Sequence, residues 1–524
     1  MPKIDKLIVT NVTALRGKYG TAGVRAIRRA VAGLIRSDRR RGLVSRLLDL
    51  GSHAAMDAIG GPQVTHAPSP RENKAAIDAA YQHFVPDYLL ILGSIDVVPH
   101  QDLANPLYSP DPDDDGDRHA FGDLPYACAA PYSRRIEDFR GPTRVVGRLP
   151  DITGARNPRF LLGLLRTAAR YRTRPREDYQ GYFGLSARVW RGSTALSLRM
   201  LTGSADDLKL SPREGPAWSN AELRPLIHFI NCHGARMAPR FFGQRTSDSD
   251  DFPDAHRARN VEGRITEGTV AAAECCYGAE LYDPPGADGQ RGICYAYLAS
   301  GAYGFLGSST IAYGPSTSNG WADLLCRYFL EEVLRGASLG RALLEARQRY
   351  VLGMSVLHAE DLKTLAQFHL LGDPSIHPIS RVRQALEQTR LFKKALARSG
   401  ELPPGRSLRR DRLMRTGVLA DETVGAVRPK AGGRVPGTVR QVLVAAARDG
   451  GLSAGRLRAM SFSLHDPAGR RLDRETGIHR RRPTAVHGVI GSLPGGRHGI
   501  PRIVLVSAAV EHGQIVRLRR LHSR

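Results

Sequence analysis

Leu226-Ile-His-Phe-Ile-Asn-Cys-His-Gly234 and, further on, Gly268-Thr-Val-Ala-Ala-Ala-Glu-Cys-Cys-Tyr-Gly278 decide how this chain is read. Each opens on a short apolar run that suits a buried strand, and each ends on a reactive side chain. The first arrives at His233-Gly234 and the second at Cys275-Cys276. Paired as parallel neighbours, two such strands bring an imidazole and a thiol to one edge of a sheet, where open α/β sheets hold their ligands.

The residue types match nucleophilic chemistry. A thiol with an ordinary pKa near 8.5 is mostly protonated at neutral pH, so an adjacent imidazole that takes its proton supplies the thiolate. The same imidazole can return a proton to a leaving amine. Gly234 lets the backbone approach a substrate closely, and its N–H can join that of Cys276 in an oxyanion hole. Either motif alone is what a buried structural Cys or a simple turn looks like. Their occurrence at matching strand ends points to hydrolysis.

These residues resemble the His-Gly and Cys motifs of the caspase-like cysteine peptidases, clan CD, which include caspases, metacaspases, legumains, separases and gingipains. Glu274-Cys-Cys-Tyr-Gly-Ala279 is similar to the metacaspase block Asp-Cys-Cys-His-Ser-Gly and to the caspase block Gln-Ala-Cys-Arg-Gly. Both select Cys276 as nucleophile. The glycine spacing of gingipains and legumains would select Cys275 instead; Cys276 is preferred here. Flanking segments narrow the resemblance to the gingipain-like branch. Asp87-Tyr-Leu-Leu-Ile-Leu-Gly93 with Val97-Val-Pro99 resembles its "Gly-Asp…Ile-Pro" strand and turn, although Ser94 stands where Asp is common. Asp123-Leu-Pro-Tyr-Ala127, Val145-Val-Gly-Arg-Leu-Pro150 and Leu370-Leu-Gly-Asp-Pro-Ser375 follow in the family's order. The resemblance implies a cysteine endopeptidase acting on protein or peptide substrates through a His233–Cys276 dyad, with no organic cofactor. Strict selection of the residue before the scissile bond is also implied, and an acidic pocket would choose Arg or Lys.

The 524 residues, 42% of them hydrophobic, allow several sizeable cores. Six cysteines without a CxxC pair argue for a reducing compartment and against a disulfide scaffold or thiolate zinc site. The opening Met1-Pro-Lys-Ile-Asp-Lys-Leu-Ile-Val-Thr has too short an apolar run for a secretory signal, and no run approaches a membrane span. A cytoplasmic, bacterial-style protein is expected. A peptidase kept in its own cell should be latent until a partner, a ligand or self-cleavage activates it.

Alternating strand and helix patterns predict two consecutive caspase/gingipain-like parallel-sheet α/β subdomains, residues 1–155 and 156–380, with the catalytic residues in the second. The expected elements include a basic amphipathic helix or pair of helices over Val24 to Leu50, helices over 71–84 and 160–172, and strands near 87–93, 143–147, 182–190, 226–231, 268–274 and 302–307. Helices are expected over 292–300, 320–334 and 339–352. Residues 381–524 carry 30 Lys and Arg against 10 Asp and Glu, which is +20 of the chain's +25. They read as an exposed connector over 399–440 and a small β-rich module with strands at 441–445, 460–464 and 503–507. Contact of this basic region with nucleic acid or an acidic surface is a secondary expectation, because no nucleic-acid-binding motif accompanies the charge. A catalytically silent scaffold held in place by that region is the rival reading.

Asp111-Pro-Asp-Asp-Asp-Gly-Asp117 has the D-x-D-x-D-G opening of a calcium loop, with Asp111, Asp113 and Asp115 as candidate ligands for a structural Ca2+. The bidentate Glu expected at loop position twelve is replaced by Gly122. Ser247-Asp248-Ser-Asp250-Asp251 and Trp190, Trp218 and Trp321 are further cleft candidates without an assigned role.

Overall fold

Ile227–Asn231 and Val270–Ala273 are buried along their whole length and pair in parallel, with Ala273 opposite Ile230. The computed structural model describes residues 3–111, 114–287, 289–380, 406–430, 433–452, 457–468, 470–471, 485–493, 499–511 and 513–524. Around that pair, Lys209–Ser211, Tyr182–Ala187 and Gly304–Ser308 complete a five-stranded parallel array. Ser45–Asp49, Lys6–Thr10, Tyr88–Leu92 and Val146–Leu149 form a second parallel array. Phe368–Gly372 joins the two, parallel to Val146–Leu149 and antiparallel to Gly304–Ser308. The α/β class therefore holds, as one continuous ten-stranded sheet whose halves run in opposite directions. Near-continuous apolar strands are what such a sheet needs, since helices cover both faces.

The motifs quoted from the first half meet at one buried ion pair. Arg148 donates two hydrogen bonds to the Asp123 carboxylate, at 2.9 and 2.6 Å, and two more to the carbonyls of Gly93 and Val98. A guanidinium removed from water must fill its donors, and four bonds to three motif segments do so. Asp373 of the Leu-Gly-Asp-Pro-Ser segment likewise holds the buried Lys6 ammonium at 2.8 Å, with Asp38 on its other side at 2.6 Å. These residues brace the sheet.

Most predicted helices occur with small shifts: Pro70–Phe84, Arg159–Arg170, Ile293–Ala299, Trp321–Leu334 and Leu339–Leu352. Ser69 caps the first of these by accepting from the Glu72 N–H. Three expectations change. The first helix is Val12–Arg40, and Ser45–Asp49 is an edge strand, because Leu48 packs beside the buried Lys6–Thr10 strand. Within the expected connector, Arg406–Thr423 is helical and Gly425–Pro429 is a strand, while residues 381–405 lie outside the described residues. The run at 441–445 belongs to a helix, Gly437–Asp449, since Val439, Leu443 and Ala447 are buried at a spacing of four.

The C-terminal strands Gly425–Pro429, Arg458–His465, Ala485–Ser492, Ile503–Glu511 and Gln514–Ser523 form a β-sheet in chain order. Both edges of that sheet are taken by short strands of the preceding unit. Val356–Leu357 pairs with Gly425–Pro429, and Tyr313–Gly314 pairs antiparallel with Gln514–Ser523. Its arginines face carboxylates of the same chain: Arg519 pairs with Glu360 and Asp361, Arg428 with Glu137, and Arg458 with Asp114. These three arginines thus meet acidic residues of the preceding unit in cis. No helix among the described residues is long and apolar enough to cross a membrane.

Candidate active site

The parallel register carries His233-Gly234 and Cys276 to the same edge of the sheet. Glu274 N–H donates to Ile230 O at 2.8 Å, and the next residues of both strands turn toward each other. The approach is so close that a Cβ on Gly234 would overlap the Cys276 carbonyl, so only glycine fits there. The Cys276 thiol lies against the Ile311–Tyr313 backbone, accepting from Ala312 N–H at 3.2 Å. Cys275 points the other way, toward Ile230 O, into the core. Tyr277 then takes a left-handed φ of 55°, and its hydroxyl donates to Asp117 at 2.8 Å. That turn aims the two neighbouring thiols to opposite sides.

His233 is fixed by a residue the sequence left unidentified. Its Nε2 is 2.8 Å from Gln244 Oε1, and the Gln244 amide nitrogen donates to Ser249 O at 3.0 Å. The amide oxygen can only accept, so Nε2 carries the proton and Nδ1 keeps its lone pair. Nδ1 has no hydrogen-bond partner. The ring sits between Trp190, at 4.2 Å between centroids, and Phe252, at 5.0 Å. Burial in this apolar sandwich pushes the His233 pKa down to about 3, and burial against the Ala312 backbone pushes the Cys276 thiol up to about 12. Both groups are therefore neutral in this state.

The Arg524 side chain is packed beside these residues, among Trp190, Ser193, Pro315 and Asp323. The guanidinium is fully buried. One of its nitrogens lies 2.6 Å from Pro315 O, 3.4 Å from Ser193 Oγ and 3.3 Å from each Asp323 carboxylate oxygen. Trp190 covers it at 4.3 Å, and a Cβ on Gly314 would overlap it. Asp323 is set by the start of the Trp321–Leu334 helix, where it accepts from Gly320 N–H. Glu274 lies beside it; burial first, then the Asp323 charge, raises the Glu274 pKa well above the usual carboxylate range. Burial raises the Asp323 pKa as well, and the Arg524 guanidinium opposes that rise. The main-chain oxygen of Arg524 accepts from two N–H groups, Gly234 at 3.3 Å and Cys276 at 3.1 Å. These are the two donors expected from the sequence to face a substrate oxygen.

The acidic loop has a different arrangement from the one its spacing suggested. Asp113 lies outside the described residues. Asp115 is fully buried and holds the Lys363 ammonium at 2.6 Å and the Tyr313 hydroxyl at 2.8 Å, and Asp117 lies 3.3 Å from the same ammonium. Asp115 and Asp117 thus share the Lys363 ammonium, and no cluster able to hold a metal occurs among the described residues. The loop instead ties together the turn after Cys276 and the Tyr313–Gly314 strand. Asp250 of the second acidic run pairs with Arg502. Trp190 lines the pocket, whereas Trp218 is a core residue bonded to His256. Gln244, Asp323, Lys363 and Arg524 carried no local sequence signal, because each acts across a long stretch of chain.

Residues 227–379 match the model of Peptidase family C25, so the gingipain-like resemblance within clan CD holds over the segment that carries His233 and Cys276. Among solved structures, one described as "Structure of Protease" is similar at 12% identity and a TM-score of 0.47, over 97% of this chain and 97% of that one. The separase–securin complex of Saccharomyces cerevisiae is similar at 13% identity and a TM-score of 0.28, over 45% of this chain and 14% of that one. No curated protein sequence matches.

Proposed function

We propose that this chain is a cysteine endopeptidase that cleaves after arginine and is latent in the state described. Cys276 Sγ attacks the carbonyl carbon, the carbonyl π electrons move to oxygen, and the Gly234 and Cys276 N–H groups hold that oxyanion. His233 Nδ1 receives the thiol proton and passes it to the amine nitrogen as the C–N bond breaks. Water then hydrolyses the thioester, with His233 as the base. Asp323 pairs with the guanidinium of the residue before the scissile bond, and Gln244 acts as a positioning residue for the imidazole.

The observation that carries this reading is the convergence of two N–H groups on one main-chain oxygen, next to the thiol and a guanidinium pocket. Latency is supported by the burial of Cys276 and by the protonation of its thiol. Substrate entry has to restore water or a charged partner to the dyad before a thiolate forms. The test is cleavage of an arginine-containing peptide library by wild type, Cys276→Ala and Cys275→Ala after activation. Cys276→Ala should abolish turnover, and Cys275→Ala should retain it within a few-fold. Loss in Cys275→Ala alone would overturn the assignment, and absence of cleavage throughout would favour the silent scaffold.

A further inference from the structure

Resting on the peptidase reading, the regulation of the same cleft follows from how its occupant is delivered. We infer that the strand Gln514–Ser523 with Arg524 is an internal pseudosubstrate, a segment of the chain that closes the cleft by binding as a substrate would. Three independent contacts agree. Backbone pairing comes first: Ser523 lies opposite Tyr313 and His522 opposite Gly314, antiparallel, and Arg524 N–H donates to Ala312 O at 2.9 Å. An extended peptide added to a sheet edge is the general mode by which clefts hold unfolded segments. Side-chain recognition comes second, through the Asp323, Pro315, Ser193 and Trp190 contacts of the guanidinium. The third is the seating of the Arg524 main-chain oxygen against the Gly234 and Cys276 N–H groups.

The seating of the Arg524 main-chain oxygen goes beyond ordinary domain packing. A structural contact has no need to direct a main-chain oxygen at two N–H donors beside a thiol. The pocket also explains why the strand stays. With Arg524 withdrawn, Asp323 would be a buried charge without its ion-pair partner, a costly state that favours refilling by this arginine or by a substrate arginine. The cleft therefore exchanges one guanidinium for another, and activation amounts to shifting that competition.

Arg524→Glu tests this in the full chain, because a carboxylate cannot enter beside Asp323. The readout is the rate of iodoacetamide labelling at each cysteine by mass spectrometry, together with turnover of a fluorogenic peptide ending in arginine. Labelling of Cys276 should rise at least tenfold while the core cysteines Cys128 and Cys326 stay protected, and peptide turnover should rise with it. Cys276 labelling equal to wild type overturns the inference, whatever the turnover. If all three cysteines label together, the variant has unfolded, and the milder Arg524→Gln decides by the same criterion. Fast Cys276 labelling without cleavage upholds the internal pseudosubstrate and removes the peptidase reading. Equal labelling and equal turnover in wild type and variants does the reverse.

Discussion

Replacing Asp323 by Asn keeps the shape of the arginine pocket and removes its charge. The amide oxygen can still accept from Gly320 N–H, so the start of the Trp321–Leu334 helix is retained. A guanidinium in this dry pocket then loses a charge-assisted interaction, worth about 1.5–3 kcal/mol. At about 1.4 kcal/mol per factor of ten, the arginine preference should fall by roughly 10- to 150-fold. The lower end is favoured, because Pro315 O and Trp190 remain, and Glu274, no longer facing the Asp323 charge, ionises more readily. The assay compares kcat/KM for matched peptides ending in arginine and in citrulline, in chains that also carry Arg524→Gln so that the cleft is open in both. Citrulline has nearly the same shape without the charge, so its kcat/KM should barely change. In the otherwise wild-type chain, the same Asp323→Asn substitution should speed labelling of Cys276, since Arg524 loses its partner too. An unchanged arginine-to-citrulline ratio would refute the pocket assignment, and so would an equal fall for both peptides.

Lys363→Met should destabilise the chain by about 3–5 kcal/mol, since it leaves buried Asp115 and nearby Asp117 without their cation. A denaturant midpoint that moves by less than about 1 kcal/mol equivalent would contradict the bracing role given to that loop. Acid should destabilise the closed state as well. Burial holds His233 and His256 at about 3, and His228, His369 and His522 at about 4. The unfolded chain binds protons at these histidines near pH 6.5 and the folded chain does not, so their stabilisation is full above about pH 6.5 and is lost on acidification toward their folded values. Each histidine contributes up to about 1.4 kcal/mol per pH unit in that window. The thermal midpoint should fall steadily from pH 7 to pH 5, and a flat profile would refute the burial of these rings.

The parts of this molecule that were legible in its sequence are those whose determinants are local. Ile227–Asn231 and Val270–Ala273 declare themselves by continuous apolar character, and His233-Gly234 and Cys276 by their place at the strand ends. The Gly437–Asp449 helix was misread because Gln441-Val-Leu-Val-Ala is strand-like in a short window, whereas its burial follows the longer spacing from Val439 to Ala447. The D-x-D-x-D-G spacing gives no hint that Asp115 and Asp117 meet Lys363, a residue from a helix far along the chain. The pocket was invisible for the same reason. Trp190 with Ser193, Pro315 with Asp323, and Arg524 come from three distant stretches of the chain, and only the folded sheet brings them together.

The pairing of Gln514–Ser523 with Ile503–Glu511 limits how the cleft can open. Ile503–Glu511 is buried over eight of its nine positions, and a full departure of its neighbour would leave a long apolar edge able to recruit other chains into aggregates. Tyr313–Gly314, by contrast, is two residues long and runs straight into Pro315, which has no N–H to offer. Release that is safe for solubility is therefore a local parting of residues 522–524 from Ala312–Gly314, while residues 514–521 remain as a permanent cover over the inner strand.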